Sequence, residues 1–327
     1  MKSIVTIGGG TGQFTLLSGL KKYPVRLTAI VSMADNGGST GVLRDELGVL
    51  PPGDIRQCLV ALSESDLIMR DLFNYRYEQG GLKGHNFGNI FLSTLEKLTG
   101  SFEEAVRVAG HVLAIRGEVI PVTTRSVNLV SGSAERRICG ESAISSAPLV
   151  EKETLRLEPE AYASPKAVAA IESADCLIIG PGNFYCGVLP NLLVKGIPEA
   201  IKRSRAAVVY NCNLMNWAGH TDGYVVRDYV DEVEGFIGKG RIDFVTYNNR
   251  MPERDLLERY GEEGKSLVPV ASADEGFDRV SFRPLPADLI SSRPFVQKAG
   301  DPIKRTLIRH DADVLAALIV QNCLGGV

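Results

Sequence analysis

The sequence has 327 residues, enough for one large domain or two modest ones, since domains usually run to about 100–200 residues. Apolar residues make up 44% and charged residues 23%, which is the ordinary composition of a globular protein with a substantial core. The formal net charge of −3 gives no reason to expect nucleic acid or an anionic membrane as a partner.

The opening apolar run, Met1–Ile7, is too short for a signal peptide, and no later stretch reaches the ~20 apolar residues of a membrane-spanning helix. The six cysteines are scattered without a Cys-x-x-Cys pair, and the four histidines do not cluster. We therefore expect a cytoplasmic protein with reduced thiols and without a zinc site or a membrane span.

Short β-branched runs alternate with amphipathic segments along the chain, a pattern that predicts an α/β fold with a mostly parallel sheet. The predicted strands are nearly uniformly apolar, as expected for strands covered on both faces, and are Ser3–Ile7, Leu27–Met33, Asp175–Ile179, Ala206–Asn211 and Ile242–Tyr247. The predicted helices are Gly12–Lys22, Ser39–Leu47, Asp54–Ser63, Phe87–Leu98, Phe102–Val108, Pro165–Ser173, Val188–Arg203, Asp222–Ile237 and Ala312–Cys323.

Residues 119–159 have a different pattern, with short apolar runs separated by glycine and serine. The runs Val122–Thr124, Val127–Val130, Arg137–Cys139 and Leu149–Val150 predict a small antiparallel β insert. No repeat or Pro/Gly-rich linker divides the chain, so we predict a single domain over residues 1–327 that carries this insert.

The first candidate site is the glycine-rich turn that follows the first predicted strand. Gly9, Gly10, Thr11 and Gly12 lie where the next helix begins, and exposed amide groups at a helix start attract phosphate. The spacing is not GxGxxG, and a tight turn between strand and helix also explains these glycines.

A second such turn follows the next predicted strand. Asp35 and Asn36 precede two glycines, and Gly38, Ser39 and Thr40 lead into a helix. An ordinary dinucleotide fold would place Asp35 on a ribose hydroxyl, whereas the Gly-Gly-Ser-Thr nest also fits a second phosphate or a metal-bridged one. Because right-handed crossovers open successive turns on one edge of a sheet, we expect both turns to face one ligand.

Two further segments carry polar residues near helix starts. Asp54 is a candidate helix cap or ligand contact, and Arg56 opposes the helix dipole in a first turn, which favours a ligand or carboxylate partner. Asn86 and Asn89 lie one turn apart, a spacing that suits a base or sugar edge, although Asn86 also fits a helix cap.

Two later strands end in polar turns. Gly180, Gly182 and Asn183 follow one strand, and Asn211 and Asn213 follow the next. Open α/β sheets bind ligands at such carboxyl ends. Near the chain's end, a basic cluster could contact a ligand phosphate or a second subunit, but we interpret it as a solvated face; it comprises Lys304, Arg305, Arg309 and His310.

The sequence lacks a Walker-type phosphate loop, a nucleophile elbow and a zinc-protease helix. His85 and His220 are candidate acid–base groups, although a lone histidine is more often a structural hydrogen-bond partner. A binding site is therefore predicted more clearly than a reaction.

Several of these loops together resemble the bacterial gluconeogenesis-factor family, which shares a superfamily with 2-phospho-L-lactate transferase. The resemblance runs from Ile4 to about Tyr247 and rests on the stretches IGGGTG, ADNGGSTGVLRDELGVLPPGDIRQCLVAL, GHNFGNIFL, GPGNFYCGVLPNLLV and NCNLMNWAGHTDGY. The segment RHDADVLAALI near the end also fits.

The resemblance implies a Rossmann-like, doubly wound fold and a nucleotide-sugar ligand such as UDP-glucose or UDP-N-acetylglucosamine. It also implies a role in growth on gluconeogenic carbon sources and in cell shape, without an established reaction. The positions that match the family's loops are Gly9, Gly10, Thr11, Gly12, Asp35, Ser39, Asp54, Arg56, Asn86, Asn89, Gly180, Gly182 and Asn211.

Three loops depart from the family's usual pattern. Asp35-Asn36 stands where two acidic residues are usual, and Asn183-Phe184 stands where Ser-Leu is usual. The segment Asn216–His220 reads Asn-Trp-Ala-Gly-His in place of Thr-Gln-Pro-Gly-Glu. Loss of one carboxylate weakens a Mg²⁺ site, and changes in ligand loops predict a change of ligand.

Three functions follow from these observations. The first is a regulatory protein that binds a UDP-sugar, and the second is a Mg²⁺-dependent phosphotransferase in which Asp35 and Asp54 surround the metal. The third, an NAD-binding protein, rests only on the first glycine turn and Asp35. We also expect a homo-oligomer, most simply a dimer.

Overall fold

The computed structural model describes residues 1–133, 135–149, 154–262, 264–270, 280–292 and 308–325. Seven of the strands in these residues form one sheet, in which every strand pair is parallel. The strands, in chain order, are β1 (Ser3–Gly8), β2 (Arg26–Val31), β3 (Glu118–Pro121), β4 (Asn128–Ser131), β5 (Ile138–Cys139), β6 (Arg156–Glu158), β7 (Cys176–Ile179), β8 (Ala207–Asn211), β9 (Phe244–Asn248) and β10 (Arg283–Ala287).

The order of strands in the sheet is β10-β9-β8-β7-β1-β2-β3, so the chain reverses its direction of travel beside β1. From β1 it moves outward to β2 and β3, and it then returns to place β7 on the other side of β1. All six residues of β1 are buried, as expected for a central strand covered on both faces. The predicted α/β, doubly wound parallel sheet is confirmed.

Helices flank this sheet in two groups, since α1 packs against α3 and α13 whereas α10 packs against α8 and α11. The helices, in chain order, are α1 (Gly10–Leu20), α2 (Gly38–Leu47), α3 (Gly53–Leu62), α4 (Leu67–Asn74), α5 (Phe87–Thr99), α6 (Phe102–Val112), α7 (Glu141–Ser146), α8 (Pro165–Glu172), α9 (Leu189–Leu192), α10 (Ile197–Arg203), α11 (Val226–Ile237), α12 (Arg254–Glu262) and α13 (Ala312–Cys323). Across the described residues, none of these helices is both long and apolar enough to cross a membrane.

A second, small sheet follows β3 and is antiparallel, with β4 between β5 and β6. The predicted β insert is therefore present, but its first residues, 119–121, belong to β3 of the main sheet. Val122–Thr124 forms no strand, and of the predicted strand Leu149–Val150 only Leu149 is described and it is not in a strand. Between β5 and β6 the insert contributes α7, which was not predicted.

The predicted helix Val188–Arg203 is wrong, because the segment breaks into a π-helical turn, Phe184–Val188, followed by α9 and α10. Gly196 has a φ of 99° at the start of α10, a backbone conformation that favours glycine, and Pro198 lies in the first turn. The remaining predicted strands and helices are confirmed to within a few residues at each end.

Candidate functional site

A cleft of about 650 Å³ lies at the carboxyl ends of the central strands, where the chain reverses direction between β1 and β7. This is the position at which open α/β sheets bind ligands, and the volume is typical of a small-molecule site. The predicted site residues that line it are Gly9, Gly10, Thr11, Gly12, Asp35, Gly38, Ser39, Thr40, Asp54, Arg56, Asn89, Gly182, Asn183 and Asn213.

The two glycine-rich turns at the reversal point contact each other. A Cβ atom on Gly12 would lie 2.2 Å from the carbonyl oxygen of Pro181, so only glycine lets the start of α1 approach the loop after β7. Asn213 joins the same contact from the loop after β8, because its Nδ2 donates to the carbonyl oxygen of Gly182 at 2.7 Å. Three strand ends thus form one continuous floor.

Each of the two predicted phosphate nests already holds a carboxylate. The Gly10 amide, at the start of α1, donates to Asp54, and a Cβ atom on Gly9 would lie 2.4 Å from Asp54 Oδ2. The Gly37 amide, at the start of α2, donates to Asp35 Oδ1 at 2.8 Å. Asp54 therefore lies at the start of α1 rather than capping its own helix, and a bound phosphate would meet these carboxylates unless a proton or a cation intervened.

A third carboxylate, Glu141, enters the cleft from α7 in the insert. Burial, and secondarily the charge of Asp35, raise the pKa of Glu141 to about 7. Burial also raises the pKa of Asp54 well above its usual range, with smaller contributions from Asp35 and Glu141. The three acids therefore share one weakly solvated region, in which burial raises the pKa of each of them.

Arg56 is buried and lines the cleft, and its guanidinium donates hydrogen bonds to two asparagines on neighbouring helices. Its Nε donates to Asn89 Oδ1 at 2.9 Å, and its Nη1 donates to Asn74 Oδ1 at 2.7 Å. The guanidinium thereby joins α3, α4 and α5, and its charge offsets a small part of the rise in the pKa of Asp54.

Four predicted site residues lie behind the cleft wall: Asn36, Asn86, Gly180 and Asn211. Asn86 caps α5, where its Oδ1 accepts from the Asn89 amide at 3.2 Å. Asn211 is buried and donates to the carbonyl oxygen of Gly180 at 3.1 Å. Asn36 Oδ1 accepts from the Ser142 amide at 2.9 Å. These side chains position the loops that form the cleft.

The structure also brings residues to the cleft that the sequence interpretation missed. Glu141, Ser142 and Ser145 come from α7, and Trp217, Tyr260 and Lys265 form the end of the cleft near β8 and β9. The sequence carried a signal for Trp217 alone, the unusual Asn-Trp-Ala-Gly-His segment that contains it. It carried none for α7, because this helix reaches the cleft through tertiary packing.

The two described members of the basic cluster near the chain's end lie in the cleft rather than on a solvated face. His310 and Arg309 line the cleft, and His310 Nε2 donates to the carbonyl oxygen of Cys212 at 3.2 Å. Burial lowers the pKa of His310 to about 4, so its imidazole is neutral at physiological pH. Lys304 and Arg305 lie outside the described residues.

Comparison with known proteins identifies a family with this fold and with similar loop sequences. The family model for 2-phospho-L-lactate transferase CofD matches residues 4–290. A Thermotoga maritima relative is 40% identical over 97% of this chain and 98% of its own length. The gluconeogenesis factor of Bacillus subtilis is 37% identical over 97% of this chain and 96% of its own.

A solved structure extends the comparison to three dimensions. A crystal structure of a Bacillus halodurans protein superimposes with a TM-score of 0.87 at 36% identity, covering 98% of this chain and 99% of the other. A second crystal structure of the same organism's protein, described as a member of the UPF0052 family, gives a TM-score of 0.86. The chain belongs to the gluconeogenesis-factor family, within the wider group that the 2-phospho-L-lactate transferase model describes.

Proposed function

We propose that this protein binds a nucleotide sugar, UDP-glucose or UDP-N-acetylglucosamine, and that occupancy regulates carbon metabolism. The observation that carries the proposal is the cleft at the β1–β7 reversal point, whose floor consists of three contacting strand ends. Backbone amides at the start of α1 suit the diphosphate once a proton or a cation neutralises Asp54, and the hydroxyl, amide and carboxylate groups that line the cleft suit sugar hydroxyls.

The name of the related gluconeogenesis factors supports the regulatory part of the proposal. We expect the protein to be needed for growth on gluconeogenic carbon sources and for normal cell shape, acting in the cytoplasm as a homo-oligomer. In this proposal the ligand reports the supply of activated sugar, and the bound state is the signal.

A thermal-shift experiment tests the proposal directly. Purified protein is heated with UDP-glucose, UDP-N-acetylglucosamine, UDP, GTP, GDP or NAD, each with and without Mg²⁺. A ligand that binds only the folded state stabilises it by about 2.7 kcal/mol at a hundredfold excess over Kd. A shift confined to the UDP compounds and independent of Mg²⁺ supports the sensor, whereas turnover of the UDP-sugar contradicts a purely regulatory role.

A Mg²⁺-dependent phosphotransferase is the second candidate, favoured by the family model and by the carboxylates Asp35 and Asp54 in the cleft. Mg²⁺ is usually held by one or two carboxylates together with substrate phosphates, and these two side chains supply such oxygen ligands. Among the described residues, no group of three His, Cys, Asp or Glu side chains is arranged to hold a metal by itself. When bound, the metal would neutralise charge on the phosphates that these loops orient.

The same thermal-shift screen distinguishes the phosphotransferase from the regulatory protein. A shift that needs Mg²⁺, is strongest with guanine nucleotides and disappears in Asp35→Asn would favour the transferase. Binding that is indifferent to both Mg²⁺ and EDTA would exclude it. A shift with NAD alone would support the dinucleotide alternative.

A further inference from the structure

The cleft has one aromatic end. Among the lining residues that the structure describes, Trp217 and Tyr260 carry the only indole and phenol rings; Trp217 lies in the loop after β8, and Tyr260 lies in α12, which follows β9. The opposite end, near β2, is lined by Asp35, Ser39 and Asn89, which offer hydrogen bonds but no aromatic surface.

Trp217 is held in a fixed orientation. Its Nε1 donates to the carbonyl oxygen of Ser145 at 3.3 Å, and its backbone amide donates to Thr221 Oγ1 at 2.8 Å. The Lys265 ammonium lies 4.3 Å from the centroid of the indole ring and 5.7 Å from that of Tyr260. Because the ring is already ordered, a ligand that contacts it loses little additional conformational entropy on binding.

The loop that carries Trp217 is fastened to α7 at a second point. His220 is buried, and its Nε2 lies 3.1 Å from the carbonyl oxygen of Ile144 and 2.9 Å from that of Ala147. The carbonyl groups at the end of α7 thus receive donors from the loop after β8. The indole and the helix that supplies Glu141 therefore form one rigid side of the cleft.

We propose that the nucleobase of the ligand packs against Trp217, so that the nucleotide lies with its base at the β8 end. This assignment rests on the proposed function and adds the direction of the ligand to it. The diphosphate then lies along Gly9–Gly12 and Gly182, and the sugar reaches Asp35. A planar base gains dispersion and electrostatic stabilisation on an aromatic ring, whereas the polar end suits sugar hydroxyls.

The protein carries its own reporter for this contact, because Trp217 is the only tryptophan in the sequence. UDP and pyrophosphate are titrated into the wild-type protein while tryptophan emission is recorded. We expect UDP to change the emission intensity saturably and pyrophosphate, which has no base, to leave it nearly unchanged. Equal responses to UDP and pyrophosphate would overturn the assignment.

Calorimetric titration of variants with UDP-glucose completes the test. Trp217→Ala should weaken binding at least tenfold, while Trp217→Phe, which keeps a ring but loses the Nε1 donor, should stay within about threefold of wild type. Tyr162→Ala removes an exposed ring outside the cleft and serves as the matched control. Circular dichroism of each variant verifies folding before titration.

The outcomes distinguish this inference from the proposed function. If wild type and Trp217→Ala bind UDP-glucose equally, the base assignment falls and the proposed function stands. If Trp217→Phe loses as much affinity as Trp217→Ala, Trp217 acts through Ser145 rather than through stacking, and the assignment again falls. If the wild-type protein binds no uridine nucleotide, both fall together.

Discussion

At the scale of single residues, Glu141 connects the electrostatics of the cleft with stability. Its pKa rises from an ordinary value of 4.5 to about 7 in the folded protein, so the folded state binds more protons than the unfolded state between these values. Stability from this source is therefore greatest below pH 4.5, falls as the pH rises to 7 and is constant above it. We expect Glu141→Gln to be more stable than wild type at pH 8 by about 1–2 kcal/mol, allowing for partial solvent screening.

Urea unfolding of both proteins at pH 5 and pH 8 measures this effect. The difference between variant and wild type should grow toward pH 8, and Glu46→Gln, on the exposed side of α2, is the matched control. Parallel pH profiles for Glu141→Gln and wild type would show that Glu141 titrates normally.

Asp54 is the residue at which the two candidate functions predict opposite results. It accepts a hydrogen bond from the Gly10 amide that a phosphate would otherwise use, and in its ionised form its charge repels the phosphate. If the protein is a regulatory UDP-sugar binder, Asp54→Asn should tighten UDP binding about threefold to tenfold without Mg²⁺. The control Asp45→Asn, at an exposed position of α2, should leave the affinity unchanged. Calorimetric titration with UDP in EDTA and again in Mg²⁺ measures both affinities. A loss of affinity in Asp54→Asn that appears only with Mg²⁺ would favour the phosphotransferase.

At the scale of elements, the contact between the start of α1 and the loop after β7 predicts a large effect from one methyl group. Gly12→Ala places a Cβ atom 2.2 Å from a backbone oxygen of Pro181, so the backbone must shift at a cost of about 1–3 kcal/mol. Gly235→Ala, in α11 with no atom within 4 Å of the added Cβ, should instead stabilise by about 0.5–1 kcal/mol. Thermal or urea unfolding compares them, and equal effects would contradict the close contact.

The strands and helices differ in how well local sequence signals predict them. Uniformly apolar strands followed by glycine turns are local signals, and β1, β2, β7, β8 and β9 were predicted from them. The break before α10 had a local signal as well, since Gly196 and Pro198 stand two residues apart, but the apolar spacing of the segment suggested one continuous helix. No local sequence signal indicated that Glu141 lies in the cleft, because its position depends on how the insert packs against the sheet.

At the scale of the whole molecule, α7 connects the insert with three loops of the main sheet. Asn36 accepts from the Ser142 amide, Asn183 donates to Ser145 Oγ at 3.3 Å, and Trp217 donates to the Ser145 carbonyl. A ligand held between these groups should slow amide hydrogen exchange in α7. We expect UDP-glucose to slow exchange there while leaving α10 unchanged, as measured by mass spectrometry; uniform slowing, or none, would contradict this coupling.

The central position of β1 has a consequence for how the chain folds during synthesis. One edge of β1 pairs with β2 within about the first thirty residues, whereas its other edge pairs with β7, whose first residue is Cys176. That second edge therefore remains unpaired in a nascent chain until roughly half of the polypeptide has left the ribosome. A long-lived unpaired edge on an apolar strand promotes pairing with strands of other chains and hence aggregation. Production at reduced temperature or with chaperones should therefore raise the yield of native protein.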